Sequence, residues 1–156
     1  MKKIFLQFMG IVACGLGLGF FPFIPGTIAS LAVCFSYAIL RPKILNWIGW
    51  VIFFCISGLI TSGIQEKQFK RKDDKRIVID EFCGMAIGLI GVPQDFLLLG
   101  IAFFLFRLFD TLKVFPISSV QQLKGSWGIM LDDIIAGCYT VLVVQLIFLL
   151  NRLIGF

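Results

Sequence analysis

The chain has 156 residues, of which 59% are apolar and only 15% charged, with a formal net charge of +5. A soluble domain carries roughly 45–50% apolar and about 25% charged residues, and a core this small cannot hide 18 phenylalanines besides its Leu and Ile. An ordinary soluble fold is therefore excluded, no nucleic-acid partner is expected, and residues 1–156 read as one membrane-embedded domain.

The first element is residues 4–21. "MKKIFLQFMGIVACGLGLGF" opens on two lysines as a signal peptide does. Its apolar run is short and broken by Gln7, and no soluble domain follows for export, so cleavage is not expected. With Gly10, Gly15, Gly17 and Gly19 it reads as an interfacial or re-entrant helix. Five membrane-entering stretches follow, at 27–40, 44–63, 78–92, 95–112 and 133–154. A full crossing takes about 20 residues. The stretches 27–40 and 78–92 are thus short, and tilt little, thin the bilayer or enter partway. The expected fold is all-α: a polytopic membrane helical bundle of about five membrane-entering helices plus the N-terminal helix.

The connections assign sides. "RPK" at 41–43 and "GVPQ" at 91–94 are tight turns, whereas 65–76 and 113–128 are long and polar. An alternating chain puts the long loops together on one side. That side holds Lys2, Lys3, Lys67, Lys70, Arg71, Lys72, Lys75, Arg76, Arg107, Lys113 and Lys124, and the other only Arg41, Lys43 and Arg152. The excess of basic residues makes the long-loop side cytoplasmic. Glu66, Asp73, Asp74, Asp80, Glu81, Asp110, Asp132 and Asp133 fall on it as well; only Asp95 does not. Distant segments thus deliver carboxylates to one membrane face.

Two stretches repeat a pattern. "VIDEFCG" and "MLDDIIAG" each read apolar, apolar, acid, acid, two apolar residues and a small one. The bland reading is acids near helix starts, where the dipole favours negative charge by roughly 0.3–1 kcal/mol. The alternative is that Gly84 and Gly137 let the two helices pack closely and gather Asp80, Glu81, Asp132 and Asp133. Adjacent helical residues point about 100° apart, so one acid of each pair faces the shared site and the other supports it. Such an oxygen-rich cluster suits Mg²⁺ shared with a substrate phosphate. Zinc is disfavoured, because histidine is absent and Cys14, Cys34, Cys55, Cys83 and Cys138 form no cluster or CxxC pair but read as free buried thiols.

In "FRLFDTLK", Arg107, Asp110 and Lys113 recur every three residues and make one polar stripe of a helix. Asp110 can join the metal cluster. Arg107, as a fork, and Lys113, as a point charge, can hold phosphate oxygens; Lys124 is counted with them. In "FFPFIPGTIASL", Pro22, Pro25 and Gly26 break the chain before a helix opening near Thr27. Thr27 is either a simple cap or a donor beside free backbone N–H groups that face an anion. The basic run "FKRKDDKR" attracts anionic head groups.

Metal plus basic residues fit phosphoryl chemistry. A histidine nucleophile is impossible, no cysteine is followed by arginine at the spacing of a phosphatase loop, and the DxDx[TV] and DGxxAR signatures are missing. Metal-assisted attack by water remains, with Asp80 or Asp133 taking the proton.

Four ordered motifs resemble the phosphatidylglycerophosphatase A family. "CGLGLGFFPFIPGTIASL" is similar to its Gly-rich stretch and PGT-x-x-SL, with Ala29 where Gly is usual; "DDKRIVIDEFCG" is similar to its acidic residue before IV-x-DE-x-x-G. "FRLFDTLKVFPI" is similar to FR-x-x-D-x-x-KP-x-PI with Val114 replacing a proline, and "GSWGIMLDDIIAG" to GG-x-GIM-x-DD-x-x-AG with Ser126 replacing a glycine. The resemblance spans about residues 13–140. It implies a Mg²⁺-dependent lipid phosphatase of the bacterial cytoplasmic (inner) membrane that hydrolyses phosphatidylglycerophosphate to phosphatidylglycerol and phosphate. Mapped onto the motifs, its site comprises Thr27, Asp73, Asp80, Glu81, Arg107, Asp110, Lys113, Asp132 and Asp133, with Gly26, Gly84 and Gly137 in support. Two competing readings are a cation transporter or channel, whose acids belong near mid-membrane, and a non-catalytic scaffold with merely interfacial charges.

Overall fold

The computed structural model describes residues 2–71, 74–113, 115–120 and 123–154, and among them it holds helices and no strand. The order is α1 (Lys2–Ala13), a kinked 3-10 segment (Gly15–Phe20), α2 (Pro25–Leu40), α3 (Ile44–Phe69), α4 (Ile79–Gly88), α5 (Phe96–Leu112), α6 (Ile117–Val120) and α7 (Ser126–Ile154). Local chemistry sets the boundaries. Pro25 opens α2 from its first turn, where a missing N–H costs nothing. Arg41, in the left-handed region, closes it just before Pro42. Asp95 caps α5 by accepting from the Leu97 and Leu98 amides at 2.9 and 3.1 Å.

Two helices, α3 with 26 residues and α7 with 29, are long and apolar enough to cross a membrane. At 1.5 Å per residue α3 is about 39 Å long, more than the roughly 30 Å hydrocarbon core. Only 22% and 28% of their apolar windows are buried, so neither is the core helix of a soluble protein. Ile52, Phe53, Ile56 and Ile60 on α3, and Leu142, Leu146, Leu149 and Leu153 on α7, point outward, a continuous apolar surface that needs lipid around it. The other expected membrane-entering stretches are shorter helices: α2 has 16 residues, α5 has 17 and α4 only 10. At about 15 Å, α4 is too short to cross.

Instead α4 is the hub of the core. Every residue from Cys83 to Gly88 is buried, and α4 packs on α7, α3, α2 and α5. The α4–α7 crossing is close because Gly84 and Gly137 face each other: a Cβ on Gly137 would run into the Gly84 carbonyl. The polar groups at the C-terminal end of α4 find partners on three helices. Trp47 Nε1 donates to the Ala86 carbonyl at 2.8 Å, Gln145 Nε2 to Ile90 at 3.1 Å, and the Tyr37 hydroxyl to Val92 at 2.7 Å.

Helix α7 begins earlier than the sequence reading placed it. Gly125 turns with φ 66° and the helix starts at Ser126, whose hydroxyl accepts from the Gly63 amide of α3 at 3.0 Å. Asp132 and Asp133 therefore lie in its second turn, beyond the reach of the dipole at its start.

Candidate active site

Helices of alternating direction bring the starts of some to the same end as the close of others. At one end of the bundle meet the start of α2, the first turn of α4, the last turns of α5 and the second turn of α7. They enclose a cavity of about 320 Å³. α2 gives it Gly26 and Thr27, α4 gives Asp80 and Glu81, and α5 gives Arg107 and Asp110, with Lys113 at its C-cap. α7 gives Asp132 and Asp133. All nine were singled out in the sequence, from segments more than a hundred residues apart.

The two acid pairs repeat one local geometry. Asp80 Oδ1 accepts from the Glu81 amide and Asp132 Oδ1 from the Asp133 amide, both at 3.1 Å. One carboxylate oxygen each from Asp80, Glu81 and Asp133 lie within 4.8 Å of one another. Asp80 and Asp133 are buried, and Glu81 Oε2 is buried with no hydrogen-bond partner. A buried polar atom without a partner is costly, and two like charges about 4 Å apart repel by about 4 kcal/mol at an effective dielectric near 20. The arrangement calls for a cation. Three carboxylate oxygens, with no His or Cys among them, form a donor set that could hold a metal ion.

Around this trio two ion pairs form. Arg107 Nη2 meets Asp110 Oδ2 at 3.1 Å and Lys113 Nζ meets Asp132 Oδ2 at 3.5 Å. Asp110 and Asp132, expected as metal ligands, are thus engaged by the two cations expected to hold phosphate. Arg107 Nη1 also donates to Ser30 Oγ at 3.4 Å. Gly26 leaves the Glu81 carboxylate its place, because a Cβ there would push that carboxylate aside.

Thr27 is not the cap of α2. The cap position is Ile24, without a side-chain hydrogen bond. Thr27 stands at the third helical position with its side chain on the cavity, and the first-turn N–H groups of α2 lie outside the intrahelical ladder. Lys124 is exposed and does not line the cavity. Gly84 and Gly137 act in packing. Asp73, with Lys72 and Val114, lies outside the described residues.

The sequence reading missed Lys75, Ser30 and Phe23. Lys75 lines the cavity from the α3–α4 loop; it was taken only as part of a head-group patch, although it stands five residues before Asp80. Its loop is pinned. Arg76 Nε and Nη2 donate to the Asp74 carboxylate at 2.8 and 3.0 Å, and the guanidinium lies 3.8 Å from the Phe69 ring centroid. Arg76 holds the Asp74 carboxyl below the usual carboxylate range.

The acids of the cavity gather at one end of the bundle and do not thread its middle, which disfavours an ion pathway. The sequence model of the phosphatidylglycerophosphatase A family matches residues 11–148. A "Phosphatidylglycerophosphatase A" of Haemophilus influenzae is 36% identical over 92% of this chain and 91% of its own length. A protein of the same name in Escherichia coli is 34% identical over 81% of this chain and 76% of its own. A Bacteroides thetaiotaomicron protein named "Putative phosphatidylinositol-3-phosphatase" is 32% identical, over 86% and 89%. No solved structure matches the chain.

Proposed function

Since the chain belongs to the phosphatidylglycerophosphatase A family of lipid phosphatases, we propose that it hydrolyses the phosphate monoester of phosphatidylglycerophosphate, giving phosphatidylglycerol and phosphate, with Mg²⁺, at the cytoplasmic face of a bacterial inner membrane. The observation that carries the metal-dependent part is the trio Asp80, Glu81 and Asp133 within 4.8 Å, with Glu81 Oε2 unpartnered. Carboxylates that an anionic substrate would otherwise avoid become a phosphate site once a divalent ion sits among them.

Asp80, Glu81 and Asp133 would hold the ion, which supplies positive charge to the phosphoryl oxygens and acidifies water. Arg107 and Lys113, at the rim, turn from Asp110 and Asp132 toward the phosphate when it enters, a fork and a point charge on its non-bridging oxygens. The Thr27 hydroxyl and the first-turn N–H groups of α2 add neutral donors on the same side. Asp80 or Asp133 accepts the proton of the attacking water. The phosphorus–oxygen bond to glycerol breaks, and that oxygen leaves as an alcohol after taking up a proton. Until the phosphate enters, Asp110 holds Arg107 beside the cavity. The bundle is polytopic in this reading: α3 and α7 cross, while α2, α4 and α5 enter beside them. The excess of Lys and Arg that the sequence assigns to the cavity end supports a cytoplasmic position for that end.

The test is phosphate release by purified protein from phosphatidylglycerophosphate and, in parallel, phosphatidylinositol 3-phosphate, with Mg²⁺ or with chelator. Release from the first lipid that chelator abolishes is expected, with Asp132→Asn and Glu81→Gln each lowering it at least 100-fold while the protein stays folded. Full turnover in both variants would sink the assignment. Preference for the inositol lipid would keep the chemistry and change the substrate.

A further inference from the structure

Beyond the carboxylate cavity, α2 meets α3 through the Tyr37 and Trp47 rings, edge to face with centroids 4.7 Å apart, and leaves a gap beside that contact. It packs on α4, the 3-10 segment and α5, and a second cavity of about 160 Å³ opens between α2 and α3 over α4. Ala32, Ser36 and Leu40 of α2, Trp50 and Phe54 of α3 and Phe82 of α4 line it. Ser36 turns its hydroxyl back to the Ala32 carbonyl of its own helix at 2.8 Å, so the wall is hydrocarbon. Ser36, Leu40 and Trp50 are exposed, so the cleft opens sideways to the surface that needs lipid.

The two cavities share walls. α2 sends Gly26 and Thr27 into the polar one and Ala32 to Leu40 into the apolar one. α4 sends Glu81 into the first and the next residue, Phe82, into the second. At 1.5 Å per residue the apolar wall begins about 7.5 Å from Thr27 and runs about 12 Å further. That length is close to the roughly 15 Å of one leaflet's hydrocarbon. A charged end and an apolar groove along one helix match the two ends of a phospholipid. A helix from another protein, about 10 Å across, is too thick for the space.

We infer that the α2–α3 cleft seats an acyl chain of the phospholipid whose phosphate monoester enters the carboxylate cavity, an inference that rests on the lipid-phosphatase reading. The cleft is then a binding site for saturated or unsaturated hydrocarbon, and it aims the head group by holding the tail.

Two measurements test it. The first uses phosphatidylglycerophosphate with a mid-chain diazirine and a phosphonate in place of the scissile ester, photolysed on the full-length protein in bilayers. Adducts are expected to concentrate on residues 32–40 and 50–54 and to fall at least fivefold in Ser36→Phe, which fills the cleft. Adducts spread evenly over the other lipid-facing helices, or indifferent to Ser36→Phe, overturn the inference. The second compares kcat/KM for dioleoyl and dihexanoyl substrates. Ser36→Phe is expected to lower the long-to-short ratio about tenfold and Ser36→Leu to lower it less; a ratio that stays constant overturns the inference. If the unaltered protein cleaves neither lipid, the phosphatase reading fails, while the adduct map still decides the cleft.

Discussion

Glu81 Oε2 is the residue on which the site's chemistry turns, because a buried carboxylate oxygen without a donor is tolerated only for a purpose. If that purpose is an ion, the protein alone is strained by like charges and the ion relieves them. A ligand bound only by the folded state raises stability by RT ln(1 + [L]/Kd). Added Mg²⁺ should therefore raise the melting temperature of the unaltered protein in detergent. Glu81→Gln should melt at the same temperature or higher without metal, since one repelling charge is gone, and should show no rise with it. A full metal-induced rise in Glu81→Gln would mean that the ion sits elsewhere. Asp74 carries a different, pH-linked role. Arg76 holds its carboxyl below the unfolded value of 3.8, so the stabilisation is complete above that value and fades as pH falls through the lower folded one. Asp74→Asn should accordingly lower the melting temperature at pH 7, and the gap to the unaltered protein should close towards pH 3. A gap independent of pH would assign the loss to packing.

Helices explain how much of this was legible beforehand. The ends of α2 and α5 were readable to within a few residues because Pro25, Pro42 and Asp95 mark them with local chemistry. The start of α7 was not. Gly125 and Gly128 look like loop in a sequence, and what makes the segment helical is tertiary, the Ser126 hydroxyl held by α3. Likewise Thr27 looked like a cap because Pro25, which marks the boundary, was read as breaking the chain before the helix, whereas it is the helix's first residue. The acid and base positions were legible because few charges occur in an apolar chain and each needs a reason. The Arg107–Asp110 pair was legible from its i, i+3 spacing, whereas that of Lys113 with Asp132 was not, because it joins residues nineteen apart on different segments. The role of α4 was also hidden: a 10-residue helix has no length signal and is held by others. Its dependence on them is measurable. Trp47→Phe removes the donor to the buried Ala86 carbonyl, which should cost about 1–3 kcal/mol, read as a lower denaturant midpoint. Trp47 is remote from the carboxylates but also lines the α2–α3 cleft, so an effect on KM for long-chain lipid is expected while kcat at saturating lipid should change less than twofold. A loss of kcat without a loss of stability would contradict the view of α4 as a packed platform.

For the whole molecule, direction in the membrane decides whether the site meets its substrate. The long loops and the cavity share one end of the bundle, while the turn at 41–43 and the Asp95 cap share the other. The sequence reading assigns eleven basic residues to the first end and three to the other, and positive charge is retained in the cytoplasm. Lys124 and Lys43 are exposed representatives of the two ends. Introduced singly as Lys124→Cys and Lys43→Cys, they can be probed with a membrane-impermeant maleimide. The unaltered chain is the control for its native thiols, four of which lie in helices and one, Cys14, in the turn after α1. Lys124→Cys should label in inside-out vesicles and not in right-side-out ones, and Lys43→Cys should do the reverse. If Lys124→Cys labels from outside, the carboxylate cavity opens to the outer face. The charge asymmetry would then have been overruled, and the enzyme would have to take its lipid from the outer leaflet. If both positions label from the same side, the antiparallel path that gathers the acids cannot be the path through the bilayer, and the chain lies along the membrane instead of through it.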